Sequence, residues 1–345
     1  MKVLINVQPL SSGHAIRGVG MYTRFLSEAL EKQPGIELYR SSLVQRPKKI
    51  DIVHYPFFDL FFPTLPLAKF SKTIVTIHDV IPLLFPKEYP VGKRGWLAFA
   101  HQKLALKTVA KVITDSQASQ QDIATHLGVP LGKIAVVPLA ANPFLQPLPA
   151  SKLKTAKRKL KLPEKYILYV GDINYNKNIP QLIKALKYLP ENIKLVCVGK
   201  HFFPQDIPEW QAIEAQIALS NVAKRVLFKP DILSDDYQTL SAIYSAAAVY
   251  VQPSLSEGFG LPVLEAMRCK TPVVATGNSS LLEVGGKVTL FAEATAEALA
   301  ENIEMILNLT QAKRRAWVKK AADWEQQFTW EKTAEETMRV YQSIL

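Results

Sequence analysis

Eleven apolar runs of four to six residues recur along the chain, at 2–7, 36–40, 50–54, 73–77, 111–114, 134–137, 166–170, 193–198, 225–228, 246–251 and 271–275. Most are apolar at successive positions, not at every second one, which is the pattern of strands buried on both faces in a parallel sheet. The segments between them carry a helical period instead. Residues 21–32 place Phe25, Leu26, Ala29 and Leu30 on one side, and further helices are expected at 93–110, 179–188, 209–219 and 235–247. Another runs from a cap at Asp115 or Ser116 to Gly128, one is opened by Pro262, and the last follows a cap at Thr329 with Trp330, Ala334, Val340 and Tyr341 spaced for burial. Strands alternating with helices make this an α/β chain. Residues 138–163 contain five prolines and a basic run, which divides it into domains at 1–150 and 151–328.

Composition agrees with two globular domains: 345 residues, 48% hydrophobic and 21% charged, suffice for two full cores. No apolar run approaches the ~18 residues that span a bilayer, and the N-terminal run is too short for a signal peptide, so a cytoplasmic protein is expected. Cys197 and Cys269 lie in apolar contexts without metal-ligand spacing and read as buried free thiols. The net charge of +12 is uneven: residues 1–150 hold 17 Lys+Arg against 9 Asp+Glu, and residues 152–165 add seven positive charges against one negative. Such a surface is either a solvated helix face beside a linker or a contact for an anionic membrane or acceptor. No aromatic-interleaved patch supports nucleic acid.

The richest chemistry lies at 254–269, S-L-S-E-G-F-G-L-P-V-L-E-A-M-R-C. A strand, a glycine turn and a helix N-terminus form an anion site, because glycines let a ligand approach and the first-turn amides point toward it. Glu257 and Glu265 bracket the turn. Plainer readings are that Glu265 complements the helix dipole and that Ser254 with Glu257 makes a capping box. His78 and Asp79 stand at the end of the strand 73–77, where α/β folds gather ligand-binding groups; a histidine satisfied by its neighbours fits there equally. The loop 8–20 ends in R-G-V-G, which is either a flexible turn or a phosphate loop. The run G-D-I-N-Y-N-K-N-I after 166–170 supplies a cation, Lys177.

The stretch E-G-F-G-L-P-V-L-E resembles the two-glutamate signature of GT4-type retaining glycosyltransferases (glycosyltransferase group 1, GT-B superfamily). T-I-H-D-V-I-P-L-L-F-P resembles the His-Asp stretch of the same family, and the glycine loop, the lysine loop and a terminal helix follow in family order. The resemblance implies a GT-B fold: two Rossmann-like domains facing across a deep cleft, the first binding acceptor and the second binding donor, with helix 329–345 crossing back onto the first. It implies transfer of a hexose, mannose from GDP-mannose among the candidates, from a nucleotide-diphosphate sugar to a glycan or lipid-linked acceptor in cell-envelope polysaccharide synthesis. No metal and no cofactor are expected, and the enzyme is expected in the cytoplasm, with peripheral attachment to the inner face of an anionic membrane as an extension. The implied catalytic residues are His78, Glu257 and Lys177. The implied donor contacts are Gly18, Gly20, Lys177, Gly258, Phe259, Gly260, Leu261, Glu265, Lys200 and Ile232, with Arg17 a further candidate. A fixed cation at the diphosphate stabilises the charge that grows on the leaving group. The arginine usual in the lysine loop is missing: Asp172 follows Gly171, and must point away from a diphosphate or pair with Lys177. The alternatives are a non-catalytic nucleotide-sugar-binding or membrane-adaptor subunit, or another GT-B reaction such as epimerisation or phosphorolysis.

Overall fold

The computed structural model describes residues 1–11, 13, 18–41, 49–233 and 235–345. The described residues form two units, one of Met1–Ala140 with Phe328–Leu345 and one of Ala141–Gln327. Each is built on a six-stranded sheet in which all the strand pairings are parallel.

In the first unit, β1 (Lys2–Asn6), β2 (Glu37–Ser41), β3 (Ile52–Tyr55), β4 (Lys72–Thr76), β5 (Lys111–Thr114) and β6 (Ile134–Val136) lie in the order β2-β1-β3-β4-β5-β6. Helix α1 (Gly18–Leu30) lies between β1 and β2 in the chain, α2 (Ile81–Leu84) and α3 (Lys93–Lys107) between β4 and β5, and α4 (Gln117–Leu127) between β5 and β6. Val3, Leu4, Ile5, Ile52, Ile74 and Val75 are fully buried, as apolar runs covered on both faces must be. Ser116 caps α4 by accepting from the Ser119 amide at 3.1 Å, and Gly128 ends it in the left-handed conformation. The sequence of helix α3 leaves two readings of its apolar side, packing on the sheet or a face turned to a membrane. The helix buries Gln102, Ala105 and Leu106 and leaves Trp96, Leu97 and Leu104 exposed.

In the second unit, β7 (Tyr166–Val170), β8 (Lys194–Val198), β9 (Val226–Lys229), β10 (Val249–Gln252), β11 (Val273–Thr276) and β12 (Leu290–Ala292) lie in the order β12-β11-β10-β7-β8-β9. Its helices are α5 (Ala150–Lys159), α6 (Ile179–Ala185), α7 (Pro208–Ser220), α8 (Tyr237–Ala246), α9 (Leu261–Arg268), α10 (Leu281–Gly285), α11 (Ala296–Leu307) and α12 (Gln311–Glu325). The basic run forms α5. The proline-containing segment before it belongs to this unit: the amides of Gln146 and Leu148 donate to the hydroxyls of Ser241 and Ser245 on α8, and Phe144 stacks on Tyr237. Cys197 and Cys269 are both buried and free.

The last helix, α13 (Trp330–Gln342), is grouped with the first unit. Thr329 caps it, and Trp330 packs against Tyr22 and Phe25 of α1 with ring centroids 6.4 and 5.4 Å apart. At its far end the Tyr341 hydroxyl meets Nδ1 of buried His54 at 2.7 Å, and His54 Nε2 meets the Thr76 hydroxyl at 2.8 Å. Burial pushes the His54 pKa down to about 3, with His78 nearby adding to the effect, so this ring is neutral and structural.

Candidate active site

In an open parallel sheet, ligands bind where the strand order reverses, because the loops leaving the two strands there diverge and open a crevice. The reversal in the second unit lies between β7, which leads outward to β8 and β9, and β10, which leads outward to β11 and β12. The loop after β7 carries Lys177 and the loop after β10 carries Glu257. The two loops are stitched together: the Leu255 amide donates to the Asn176 carbonyl at 2.7 Å, the Asn176 side chain to the Ser256 carbonyl at 2.9 Å, and the Asn178 side chain to the Pro253 carbonyl at 3.1 Å.

Held this way, the Lys177 ammonium donates to both carboxylate oxygens of Glu257, each at 2.8 Å. Glu257 Oε1 also accepts from Gln252 Nε2 at 2.7 Å and from the Ser254 hydroxyl at 2.6 Å. Both charges are largely out of solvent, with side-chain exposures of 19% and 9%. The attraction within a buried ion pair offsets its desolvation only with such geometry and additional hydrogen bonds. The Ser254–Glu257 contact therefore joins two side chains and is no helix cap; α9 begins seven residues after Ser254.

Gly260 takes φ +102, and a Cβ there would lie 2.8 Å from Leu281. Its left-handed conformation turns the chain into α9, with Pro262 in the first turn. Gly258, Phe259, Gly260 and Leu261 thus form the entry to that helix. Glu265 lies beyond the first turn, which removes the dipole reading. It is buried, its carboxylate accepts from the Tyr244 hydroxyl at 2.9 Å, and burial pushes its pKa up to about 7 against the smaller opposing effects of Tyr244 and Arg268.

Asp172 does not pair with Lys177. Its carboxylate meets His201 Nδ1 at 2.7 Å and accepts from the Ile173 amide at 2.9 Å. The contact joins the ends of adjacent strands β7 and β8, where Gly199 is required: a Cβ would stand 2.0 Å from the Gly171 carbonyl oxygen. Lys200 sits exposed on the turn after β8 and Ile232 half-buried after β9, one and two strands away from β7.

In the first unit the order reverses between β1 and β3. A pocket of about 190 Å³ opens there, lined by Asn6, Gln8, Pro9, Pro56, Phe57, Pro63 and Thr64. His78 follows β4, and its Nε2 reaches the Pro56 carbonyl at 3.1 Å. Its partner is not its sequence neighbour: Asp79 accepts from the Ile81 amide at the start of α2. Because β4 and β5 are parallel neighbours, the residues leaving them come side by side, and His78 Nδ1 meets Asp115 Oδ2 at 2.7 Å. Burial alone would lower the His78 pKa, yet the Asp115 charge and hydrogen bond, Asp79 and the Pro56 carbonyl together raise it. Two acceptors facing the two ring nitrogens suit an imidazolium. Asp115→Asn should therefore bring the His78 pKa below its ordinary value, since burial is then largely unopposed; NMR titration of the ring reads this, and an unmoved titration would refute the pairing.

Gly18 and Gly20 are not in a loop. They form the first turn of α1, Gly18 exposed and Gly20 buried, while Arg17 lies outside the described residues. Asp115, His201, Asn176 and Gln252 were not singled out as site residues by the sequence pattern. Their signal is positional: Gln252 ends a strand, and Asp115, His201 and Asn176 follow one, at the edge where such folds bind ligands. Among the described residues, no group of three or more His, Cys, Asp or Glu side chains is placed to hold a metal ion.

Comparison with known proteins bears on the family and the fold. Residues 151–324 match the family model described as "Glycosyl transferases group 1", and residues 24–143 match "Glycosyltransferase Family 4". An O-antigen chain mannosyltransferase B of Escherichia coli is 27% identical over 282 residues, covering 80% of this chain and 71% of that protein. The serotype-specific mannosyltransferase WbdA of the same organism is 29% identical over 221 residues, but the match covers 62% of this chain and only 26% of that longer protein. Among solved structures, a sucrose-phosphate synthase from Thermosynechococcus elongatus superposes with a TM-score of 0.74 at 22% identity, covering 99% of this chain and 98% of that one. WaaG, a glycosyltransferase involved in lipopolysaccharide biosynthesis, gives 0.69 at 16% identity, covering 100% and 99%. With this GT-B fold and a family match spanning half its length, the chain belongs to the group 1 glycosyl transferases.

Proposed function

We propose that this glycosyltransferase moves a hexose, mannose from GDP-mannose in the reading we favour, from a nucleotide-diphosphate sugar to a glycan or lipid-linked acceptor in cell-envelope polysaccharide synthesis, with retention of configuration. The observation that carries the proposal is the Lys177–Glu257 pair at the strand reversal beside the N-terminus of α9. In this reading Lys177 and the amides of residues 258–261 hold the diphosphate, and Glu257 holds the sugar. Glu265 accepts from the ribose hydroxyls, which suits a carboxylate because each oxygen accepts hydrogen bonds without a change of protonation. Mannose is supported by the relatives that are named mannosyltransferases.

The first unit takes the acceptor. Its pocket at the β1–β3 reversal, lined by Asn6, Gln8 and Thr64 among others and by Pro56, whose carbonyl meets His78, suits a hydroxyl-rich acceptor. No metal or cofactor enters this scheme. The chain works in the cytoplasm at the inner face of a membrane, where a lipid-linked acceptor is reached. Among the described residues no helix is long and apolar enough to cross a membrane; attachment in this proposal is peripheral.

The test is a thermal-shift panel of nucleoside diphosphates and nucleotide sugars, followed by transfer assays with the donors that stabilise the protein. GDP and GDP-mannose should raise the melting point more than their uridine counterparts. Stabilisation by uridine compounds alone would discard mannose from GDP-mannose while keeping transfer; no response to any nucleotide sugar would discard the donor site itself.

A further inference from the structure

Helix α3 is apolar on the side turned to solvent. At 100° per residue, Lys93, Trp96, Leu97, Leu104 and Lys107 share one face, opposite the buried Gln102 and Leu106. The exposures decide the matter: Trp96 52%, Leu97 73% and Leu104 52%, with Phe62 at 70% on the neighbouring loop. These are not loose side chains. The ring of Trp96 meets Phe61 and Phe99 edge-on at 6.5 and 5.6 Å. The Phe62 loop is tied down from both sides. Asp59 Oδ1 accepts from the amides of Phe61 and Phe62, and buried Gln102 donates to the Asp59 carbonyl and the Thr64 hydroxyl while accepting from the Leu65 amide. A cluster of large apolar groups held rigid in water marks a contact surface.

Charge identifies the partner. Between Glu88 and Asp115 the chain has five Lys or Arg residues and no acidic one. Lysines frame the apolar stripe at both ends, and Lys103 lies over the Phe99 ring at 5.5 Å. Beside the C-terminal end of α3 a hollow of about 560 Å³ is lined by Lys103, Lys107 and Lys133 among others. A tryptophan, exposed aliphatic and aromatic groups and a basic rim are together the chemistry of a membrane-surface helix, whose rings sit at headgroup level while its lysines meet lipid phosphates.

We propose that α3 and the Phe62 loop dock the first unit on a bilayer rich in anionic phospholipid. The proposal rests on the membrane part of the functional reading and is independent of its sugar-transfer part. Each basic residue near such a surface strengthens binding about fivefold, and the attraction is screened within about 10 Å at 0.1 M salt.

The test is co-sedimentation of the whole chain with vesicles of phosphatidylcholine mixed with phosphatidylglycerol, against phosphatidylcholine alone. Wild type should bind the anionic vesicles, less so as salt rises. Lys103→Glu with Lys107→Glu, and separately Trp96→Ser with Leu97→Ser, should each reduce binding at least about tenfold. Melting points and nucleoside-diphosphate thermal shifts should stay at wild-type values, which separates loss of docking from loss of the donor site. Brominated lipid should quench tryptophan fluorescence in wild type, and less in Trp96→Phe. Equal sedimentation with neutral vesicles, no sedimentation at low salt, or variants that bind like wild type would overturn the proposal. So would a concentration-dependent dimer abolished by the same substitutions, because the face would then be a contact between copies.

Discussion

Lys177→Ala should lower the stability of the second unit by about 3 kcal/mol and reduce sugar transfer about a thousandfold. The stability term follows from what is left behind. Removing one partner of a buried ion pair strands the other charge, which typically costs 3–5 kcal/mol. Here Glu257 keeps the donors Gln252 and Ser254, so the low end applies. The activity term follows from the proposed role, since losing a fixed group that stabilises transition-state charge commonly costs ~100- to 1,000-fold. A double-mutant cycle separates the two. Lys177→Met combined with Glu257→Gln has no stranded charge and should be less destabilised than the single losses add up to, while transfer stays lost. Urea unfolding and a transfer assay on the four proteins read both quantities. Additive stability losses would show that the pair is not coupled; near-normal transfer by the double variant would remove both residues from the reaction.

Glu265→Gln should stabilise the protein at pH 8 by up to about 3 kcal/mol, the equivalent of raising a carboxyl from 4.5 to about 7. The sign is fixed by the direction of the shift. The folded state holds the proton more tightly than the unfolded chain, so wild-type stability falls as pH rises from about 4.5 to about 7 and this contribution is flat above. A neutral amide escapes that loss: the gain should be near zero at pH 4.5 and reach its plateau above pH 7. The Tyr244 hydroxyl can still donate to the amide oxygen. The cost falls on binding. If the ionised carboxylate accepts from the ribose hydroxyls, Glu265→Gln should weaken nucleoside-diphosphate binding about tenfold or more. Wild-type binding should also weaken as pH drops through 7. Urea unfolding at pH 4.5 and pH 8, with calorimetric titration of the nucleotide, checks both parts. A stability gain that does not vary with pH would contradict the buried-carboxylate account.

Much of the architecture was legible because buried parallel strands have a strong local signature. Each of the eleven apolar runs coincides with a strand to within a few residues, and Ser116, Gly128 and Thr329 mark helix ends through chemistry carried by single residues. The missed strand, β12, is only Leu290–Ala292, too short to stand out from its surroundings. Helix α3 was legible as a helix but not by face: apolar groups on both sides give no clue to which side meets the sheet, and the packing buried the side containing Gln102. The glycines of R-G-V-G suggested a loop, yet Gly18 and Gly20 lie in the first turn of α1, where glycine is tolerated if tertiary packing supports the helix.

Sequence by itself determined eleven of the twelve described strands, several of the helices, the two-glutamate motif and the membership of Lys177 in a strand-end loop, because periodicity, caps and turn chemistry act over a few residues. Tertiary structure decided which charges meet. Lys177 and Glu257 are eighty residues apart in the chain and become a bidentate pair because β7 and β10 adjoin at the strand reversal. His78 takes Asp115 rather than the adjacent Asp79, because parallel neighbours deliver their ends side by side whereas consecutive residues on an extended chain point apart. Asp172, which looked like a threat to a bound diphosphate, is engaged by His201 from the next strand. The pairing of charges depends on strand order, and strand order is set by the packing of the whole unit.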